Sequence, residues 1–591
     1  MFPESLQPSA ELTAQADALG LDAWATTLLL GRGVTDASAL RHHLGEPTAG
    51  LNDPRLLPDA ALFLARMEQA RDAGETALVF GDFDADGITG LAVLTLALRA
   101  FGVTVVPYVP SRLDEGHGLS LLAVEAAERE GARVLITVDT GTTSLAEIAA
   151  ATARGIDVLV TDHHRVPAEL PVALAIVNAH RPDSNYPDRR LSGAGIAFTL
   201  ARLLLGDGPE ALALADLAAI GTIADVAPIL GENRAIVRLG LERMRTAPRP
   251  GLAALLARAN VAPAAVDVET LSFAIAPRLN AAGRVGEAMD AARLLLSSDP
   301  DEAATLATVL ETANLQRRDL TKQAVAEART SADVVDDQPA TLVRGPWPVG
   351  VVGLVAARLA DERGRPAVVG AELGEVIRAS CRGNGVLHLA DTLAACGDLL
   401  IRHGGHAGAA GFEIETRNWS AFRERFLALA GATDAPHAEP SLDVDIALPA
   451  LDVDYRLLGA VGRLGPWGVG NPEPLIAVLG LTVTRAREAS GGHTQLVLKR
   501  RLDVLDGIAF GWSELATLVH EGDRVDVVAR LVSRRFGGVE SLQLDIRDVA
   551  PEGVRRAAAG AGVAEADRLV AVGPGPGDGT PTGVIESGTL A

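Results

Sequence analysis

The chain has 591 residues and a formal net charge of −23, with 53 Lys and Arg against 76 Asp and Glu. That length is too great for one hydrophobic core, so about three to five domains are expected, and the acidity argues against a broadly basic nucleic-acid coat while permitting a local basic channel. Hydrophobic residues make up 48%, yet there is no apolar run of about 18 residues, no basic and apolar leader after Met1, and no cysteine beyond Cys381 and Cys396, which together predict a globular, cytoplasmic, reduced protein without a membrane span, a disulfide framework or a cysteine-built zinc site.

Residues 1–50 read as short helices, with Thr35-Asp36-Ala37-Ser38 as a helix start. Strand and helix then alternate. Strands are expected at 77–81, 103–109, 134–138 and 157–160, and helices at 91–101, 119–131 and 144–154, the pattern of a doubly wound parallel sheet. The first strand runs into Gly81-Asp82-Phe83-Asp84-Ala85-Asp86-Gly87, which places three carboxylates at alternate positions facing a helix start. Open α/β sheets bind their ligands in that crevice. Close carboxylates repel and are costly to bury unpaired, so a divalent cation is expected, with oxygen ligands suiting magnesium or manganese. The third strand ends in Asp139-Thr-Gly and the fourth in Thr161-Asp162-His163-His164. Three strands thus deliver acids and histidines to one sheet edge. Asp225 follows the apolar stretch 218–224 and by itself reads as a helix cap.

Taken in order, Asp82-Phe-Asp84-Ala-Asp86-Gly, Val138-Asp139-Thr-Gly, Asp162-His163-His164 and Gly221-Thr-Ile-Ala-Asp225 resemble the four motifs of the DHH phosphoesterase superfamily. The resemblance implies two divalent ions, usually Mn2+ and alternatively Mg2+, with Asp84, Asp86, Asp139, His163 and Asp225 as ligands and Asp139 as the bridge. Asp82 is counted with them, although many relatives have a histidine near that position. Asp162 would orient the histidines and His164 would face the substrate phosphate.

Further along, Arg278, Asn280 and Arg284 flank small residues before a helix over 288–296 and suit phosphate contact; the alternative is helix capping. Residues 301–330 read as one long helix, with Leu306, Leu310, Ala313 and Leu320 on its apolar side. A second α/β lobe begins near 338. Its Gly404-Gly405-His406 resembles the Gly-Gly-His motif of the DHH-associated (DHHA1) lobe, which closes over substrate opposite the metals. Pro348 departs from that pattern, where a histidine is expected after Trp347. Arg112, Ser380 and Arg382 are the candidates for holding a terminal phosphate.

Five short strands between 475 and 549 predict a β-barrel of the OB type. Residues 451–550 hold 12 Lys and Arg against 13 Asp and Glu, near neutral in an acidic chain. Arg485, Arg487, Lys499, Arg500, Arg501, Arg534 and Arg535 suit a backbone-tracking groove, and Trp512 and Phe536 suit base stacking; Trp467 reads rather as core or hinge. Elsewhere the preference for arginine over lysine is ascribed to genome composition. Pro466-Trp467-Gly468-Val-Gly470-Asn471-Pro472 resembles the linker into the OB domain of the RecJ exonuclease family. The expected division is a helical segment 1–50, a catalytic DHH domain 51–235, a helical connector 236–335, a DHHA1 domain 336–435, an OB domain 440–550 and a partly disordered tail 551–591.

That combination implies a single-stranded-DNA exonuclease of repair and recombination that acts 5′ to 3′ as a monomer, with a single-strand-binding protein and a RecQ-type helicase as partners. The alternatives are an oligoribonuclease or cyclic-dinucleotide phosphodiesterase of the same superfamily, a family II type pyrophosphatase, or an inactive single-strand-binding scaffold. The OB section argues against the first two and the intact acid motifs against the last.

Overall fold

The structure is a computed structural model that describes residues 8–112, 115–331, 338–383, 385–432, 442–536 and 539–553, without the side chains of 535, 536 and 539. The expected tail beyond residue 553, and the Arg535 and Phe536 side chains, lie outside that description. Two compact units divide the chain, one built from 47–434 and the other from the N-terminal 46 residues with the OB region.

In the first unit, β1 (Thr76–Gly81), β2 (Thr104–Tyr108), β3 (Val134–Val138), β4 (Asp157–Thr161) and β5 (Ala175–Val177) form a parallel sheet in the order β2-β1-β3-β4-β5. The strands β1, β3 and β4 are nearly continuous apolar runs because both of their faces are covered. Chain direction across the sheet reverses between β1 and β3, and the crevice beyond that point is where such sheets take ligands. The helix Ala85–Phe101 lies almost wholly buried over the sheet, against helices Gly193–Leu205 and Ala215–Ala224. Glycines permit the crossing. A methyl group on Gly221 would stand 2.4 Å from Thr89 Oγ1 and 2.5 Å from both Ala194 Cβ and Asp86 Oδ1.

One buried cluster extends from Leu57 through Val79 and Leu91 to Leu294 and Leu310. The helices between 236 and 296, expected as a connector, therefore share the core of the parallel sheet. The long helix spans Pro300–Arg329. Its first half joins that core through Leu306 and Leu310, and its second half joins the next lobe through Ala324, Val325 and Ala328. That lobe has β6 (Thr341–Gly345), β7 (Ala367–Leu373), β8 (Val376–Arg382), β9 (Leu400–Gly405) and β10 (Ala409–Glu415) in the order β6-β7-β8-β10-β9, all antiparallel except β6 with β7. Pro348 precedes the helix Val349–Arg363, a position where a fixed φ and a missing N–H cost nothing.

In the second unit, β11 (Ile446–Pro449), β12 (Ile476–Ala489), β13 (His493–Arg500), β14 (Asp503–Ala509), β15 (Arg524–Phe536) and β16 (Val539–Pro551) run in that order except that β16 lies between β14 and β15. Pairing of β12 with β15 closes a five-stranded barrel, with β11 parallel at its edge. The N-terminal helices, expected as a separate segment, belong here. Leu464 lies in one cluster with Leu12, Leu28 and Leu40. Arg32 donates to Asn471 Oδ1 at 2.8 Å and Asp445 Oδ1 at 3.1 Å, and stacks over Trp467.

Gly221→Ala should destabilise the first unit by about 1–3 kcal/mol through overpacking, and the displaced Asp86 should weaken Mn2+ binding. Urea denaturation with a parallel Mn2+ titration checks both, and a fully stable variant with normal metal affinity would show that the crossing has slack.

Candidate metal centre

Asp82, Asp84, Asp86, Asp139 and Asp162 stand where strands of the parallel sheet end, and Asp225 caps the C-terminus of the helix Ala215–Ala224. Asp84 caps the helix that follows β1, its Oδ1 accepting the N–H groups of Asp86 (2.9 Å) and Gly87 (3.0 Å). Asp86 is held by the start of the Gly193–Leu205 helix, where Gly193 N–H donates to Oδ2 at 2.7 Å and Ala194 N–H to Oδ1 at 2.9 Å. That contact needs a residue without a side chain, because a Cβ on Gly193 would lie 2.5 Å from the Asp139 Cβ. Asp139 follows β3 with φ +62°, and Val226, next to Asp225, has φ +56°. Left-handed backbone is costly for both residue types, most of all for a β-branched one, and such strain collects at functional sites.

Asp162 sits behind the histidines. It accepts from the N–H groups of His163 (2.8 Å), His164 (3.1 Å) and Thr142 (3.0 Å), and from His164 Nδ1 at 2.7 Å. Burial alone would raise its carboxyl, but the hydrogen bond and charge of His164 hold it well below the usual carboxylate range. Burial opposes protonation of His164 in turn, and Asp162 overrides that, raising it to about 9. His163 turns to the other acids, with Nε2 3.0 Å from Asp139 Oδ1 and 3.9 Å from Asp86 Oδ2, and Nδ1 3.8 Å from Asp225 Oδ2.

Three overlapping sets bring ligand atoms within 4.8 Å of one another: Asp139, His163 and His164; Asp86, His163 and Asp225; Asp82, Asp84 and Asp139. Burial and mutual repulsion push Asp84 up to about 6 and Asp139 well above its ordinary value. Asp225 is raised to about 7, chiefly by burial and against the opposing pull of His163. Asp139 Oδ1 and His163 Nε2 are buried without a well-formed hydrogen bond. Orphaned oxygen and imidazole ligands among repelling carboxylates fit divalent cations.

Over this cluster stand three guanidinium groups. Arg112 lies over the Phe83 ring (4.9 Å) and feels the charges of Asp82, Asp84 and Arg382; burial lowers it to about 10. Arg284 is lowered by burial and by Arg112, Arg317 and Arg382, and it donates to the Gly350 carbonyl across to the second lobe at 3.0 Å. Arg382 ends β8, two residues after the buried Ser380. Among the described residues none of the three arginines has a carboxylate within ion-pair distance.

Other expected contacts are placed differently. Arg278 is committed to Glu311 Oε2 (2.5 Å) and the Ala274 carbonyl, a structural tie to the long helix. Asn280 Oδ1 accepts the Ala85 N–H at 2.8 Å and so positions the Asp84 loop. Gly404 and Gly405 lie in β9, where Gly405 has φ +136° and packs tightly on Ala410; His406 is in the exposed turn beyond. On the barrel, Arg500 donates to the carbonyls of Ala450 and Val453, and Trp512 is core, so neither belongs to a groove. Arg485, Arg487, Lys499, Arg501 and Arg534 are exposed. Sequence reasoning missed His117, whose Nδ1 is 3.2 Å from Asp82 Oδ2, Gly193, and Arg317 beside Arg284. The Gly116-His117-Gly118 turn after β2 was the only local signal for any of them.

A doubly wound sheet with acids from three strands at its switch point, an Asp-His-His loop and a facing α/β lobe define a DHH-type phosphoesterase. Residues 76–222 match the model of the DHH family, N-terminal domain, and residues 444–548 that of the RecJ OB domain. The chain is 34% identical over 532 residues to the single-stranded-DNA-specific exonuclease RecJ of Bacillus subtilis, covering 89% of this chain and 67% of that protein. It is also 34% identical to RecJ of Dickeya dadantii, covering 88% of this chain and 94% of that one. The crystal structure of RecJ from Thermus thermophilus in complex with Mn2+ superimposes with a TM-score of 0.79 at 32% identity, covering 94% of this chain and 80% of that one. The chain belongs to the RecJ family of single-stranded-DNA-specific exonucleases.

The raised carboxyls bind protons in the native state that the unfolded chain, at about 3.9 for Asp, would have released. Stability of the metal-free protein should therefore fall as pH rises from about 4 to about 7. Mn2+ should raise the melting temperature more at pH 8 than at pH 5, read by scanning calorimetry with and without chelator; equal shifts at both pH values would contradict the assigned carboxyls.

Proposed function

We propose that this chain hydrolyses single-stranded DNA from a 5′ end and releases 5′-mononucleotides, using two divalent cations, Mn2+ or Mg2+. The observation that carries this reading is the pairing of an acid cluster fit for cations with unpaired arginines beside it. One set receives the scissile phosphate, the other the terminal one. Asp84, Asp86, Asp139, His163 and Asp225 would hold the cations, with Asp82 at the margin. When bound, the cations supply a lowered water pKa and neutralise charge developing on the phosphoryl oxygens.

This chain's own residues do the rest. Asp162 accepts the Nδ1 proton of His164 and favours the imidazolium, so that Nε2–H can donate to a phosphate oxygen. The amides of Gly193 and Ala194 fix both oxygens of Asp86. Arg112, Arg284 and Arg382, with Ser380 on the same face of β8 as Arg382, recognise the doubly charged terminal phosphate. The exposed Arg485, Arg487 and Lys499 on the outer surface of β12 and β13 would track the strand's backbone, as OB barrels commonly do. The family resemblance adds a single-strand-binding protein and a RecQ-type helicase as partners, a monomeric state and a cytoplasmic site of action. No helix among the described residues is long and apolar enough to cross a membrane.

Digestion of end-labelled single-stranded DNA with Mn2+ tests the reading. Asp139→Ala should abolish most nucleotide release while the fold persists; near wild-type release would sink the cation assignment. Arg382→Ala should slow cleavage of 5′-phosphorylated strands on the order of tenfold to a hundredfold, the worth of charge-assisted hydrogen bonds acting in the transition state. The effect should shrink on 5′-hydroxyl strands. An equal loss on both substrates would make Arg382 a general backbone contact instead.

A further inference from the structure

The C-terminal edge of the parallel sheet has a second end. Arg112 follows the edge strand β2, the acids follow β1, β3 and β4, and β5 closes the opposite edge. With strands about 4.8 Å apart, the row from β2 to β5 extends roughly 19 Å. Asn178 is the first residue after β5 and lies level with Asp162, whose N–H donates to the Val177 carbonyl at 3.1 Å. Its buried side chain locks the two loops together. Nδ2 donates to the His164 carbonyl at 2.9 Å, and Oδ1 accepts the His180 N–H at 2.8 Å. His180 is thereby set beside the Asp-His-His loop.

His180 is half-buried, and burial together with the charges of His163, Arg189 and Arg165 holds its pKa below the ordinary value. Arg165 directly follows the Asp-His-His loop, and Arg189 lies in the same loop as His180, between β5 and the helix Gly193–Leu205. Arg165 and Arg189 are exposed. Among the described residues Arg189 donates only to the Ser184 carbonyl, at 3.1 Å. Among the described residues neither arginine has a carboxylate partner, whereas Arg181 and Arg190 in the same loop are paired with Asp59, Asp183 and Asp188. In a chain with 76 acids to 53 bases, two arginines beside the catalytic loop have been left for something else.

We propose that Arg165, His180 and Arg189 form a phosphate-binding strip for the nucleotides on the 3′ side of the scissile bond, with Asn178 as the positioning residue that fixes the strip to the catalytic loop. The inference rests on the exonuclease reading above. It gives the strand a track along the sheet edge: terminal phosphate at the β2 end, scissile phosphate at the acids, following phosphates at the β5 end. The groups suit the task, since guanidinium forks bind phosphate oxygens in two contacts and imidazole adds a donor.

The test compares two 5′-phosphorylated substrates. In a dinucleotide the only internucleotide phosphate is the scissile one; a long oligothymidylate also has phosphates for the strip. The Arg165→Ala, Arg189→Ala double variant should lose on the order of tenfold to a hundredfold in kcat/KM on the long strand, and at least several-fold less on the dinucleotide. Its binding to long strands should lose about one unit of salt dependence for each arginine removed. Lysine at both positions should restore part of the loss, and Mn2+ titration should match wild type, which separates the strip from damage to the centre. Equal losses on both substrates, or none on either, overturn the strip. If wild-type protein releases nucleotides from neither substrate, the exonuclease reading itself fails, and that outcome is distinct from the other two.

Discussion

Mutual repulsion of buried carboxylates at one sheet edge is the constraint on which the first unit is built. Asp82, Asp86, Asp139 and Asp162 are buried within a few residues of a strand end. Relief comes from oriented amides at helix starts, as for Asp86 and Asp84, from imidazole, as for Asp162, and for the rest from a cation. Small residues follow from the same demand, because amides approach a carboxylate this closely only where Gly193 and Gly221 leave room. The left-handed backbone at Asp139 and Val226 is a further cost of aiming side chains inward. Binding energy from cation and phosphate is the natural source of compensation.

Much of this arrangement was legible in the residues because parallel strands buried on both faces read as unbroken apolar runs. β1, β3 and β4 announced themselves, and each ended in an acid. β5 did not, since three residues of strand in a proline-rich stretch carry no period, and so Asn178 and its loop escaped notice. Pairings across long separations were invisible for a different reason. Nothing near Arg278 marks Glu311 as its partner, and nothing near Asn280 points to the Ala85 amide. An arginine looks the same in sequence whether it binds phosphate or carboxylate; only the neighbouring acids decide it.

The OB region shows the same limit. Its strands and turns were readable from alternation, but which polar residues face outward depends on closure. Arg500 caps carbonyls of a preceding segment, and Trp512 fills the barrel. The N-terminal helices carried apolar residues without any sign that Leu464 would complete their core. Apolar pattern specifies that a face will be covered, not by what.

Gly350 opens the first helix of the second lobe, directly against the backbone of Arg284. A Cβ there would lie 2.3 Å from the Arg284 carbonyl oxygen, while the Arg284 side chain reaches back to the Gly350 carbonyl. The distance between the lobes at this point is therefore set by a single hydrogen atom. Any larger residue would act as a wedge between the two lobes at this contact. The spacing of the lobes is thus tuned at a residue that carries no side chain of its own.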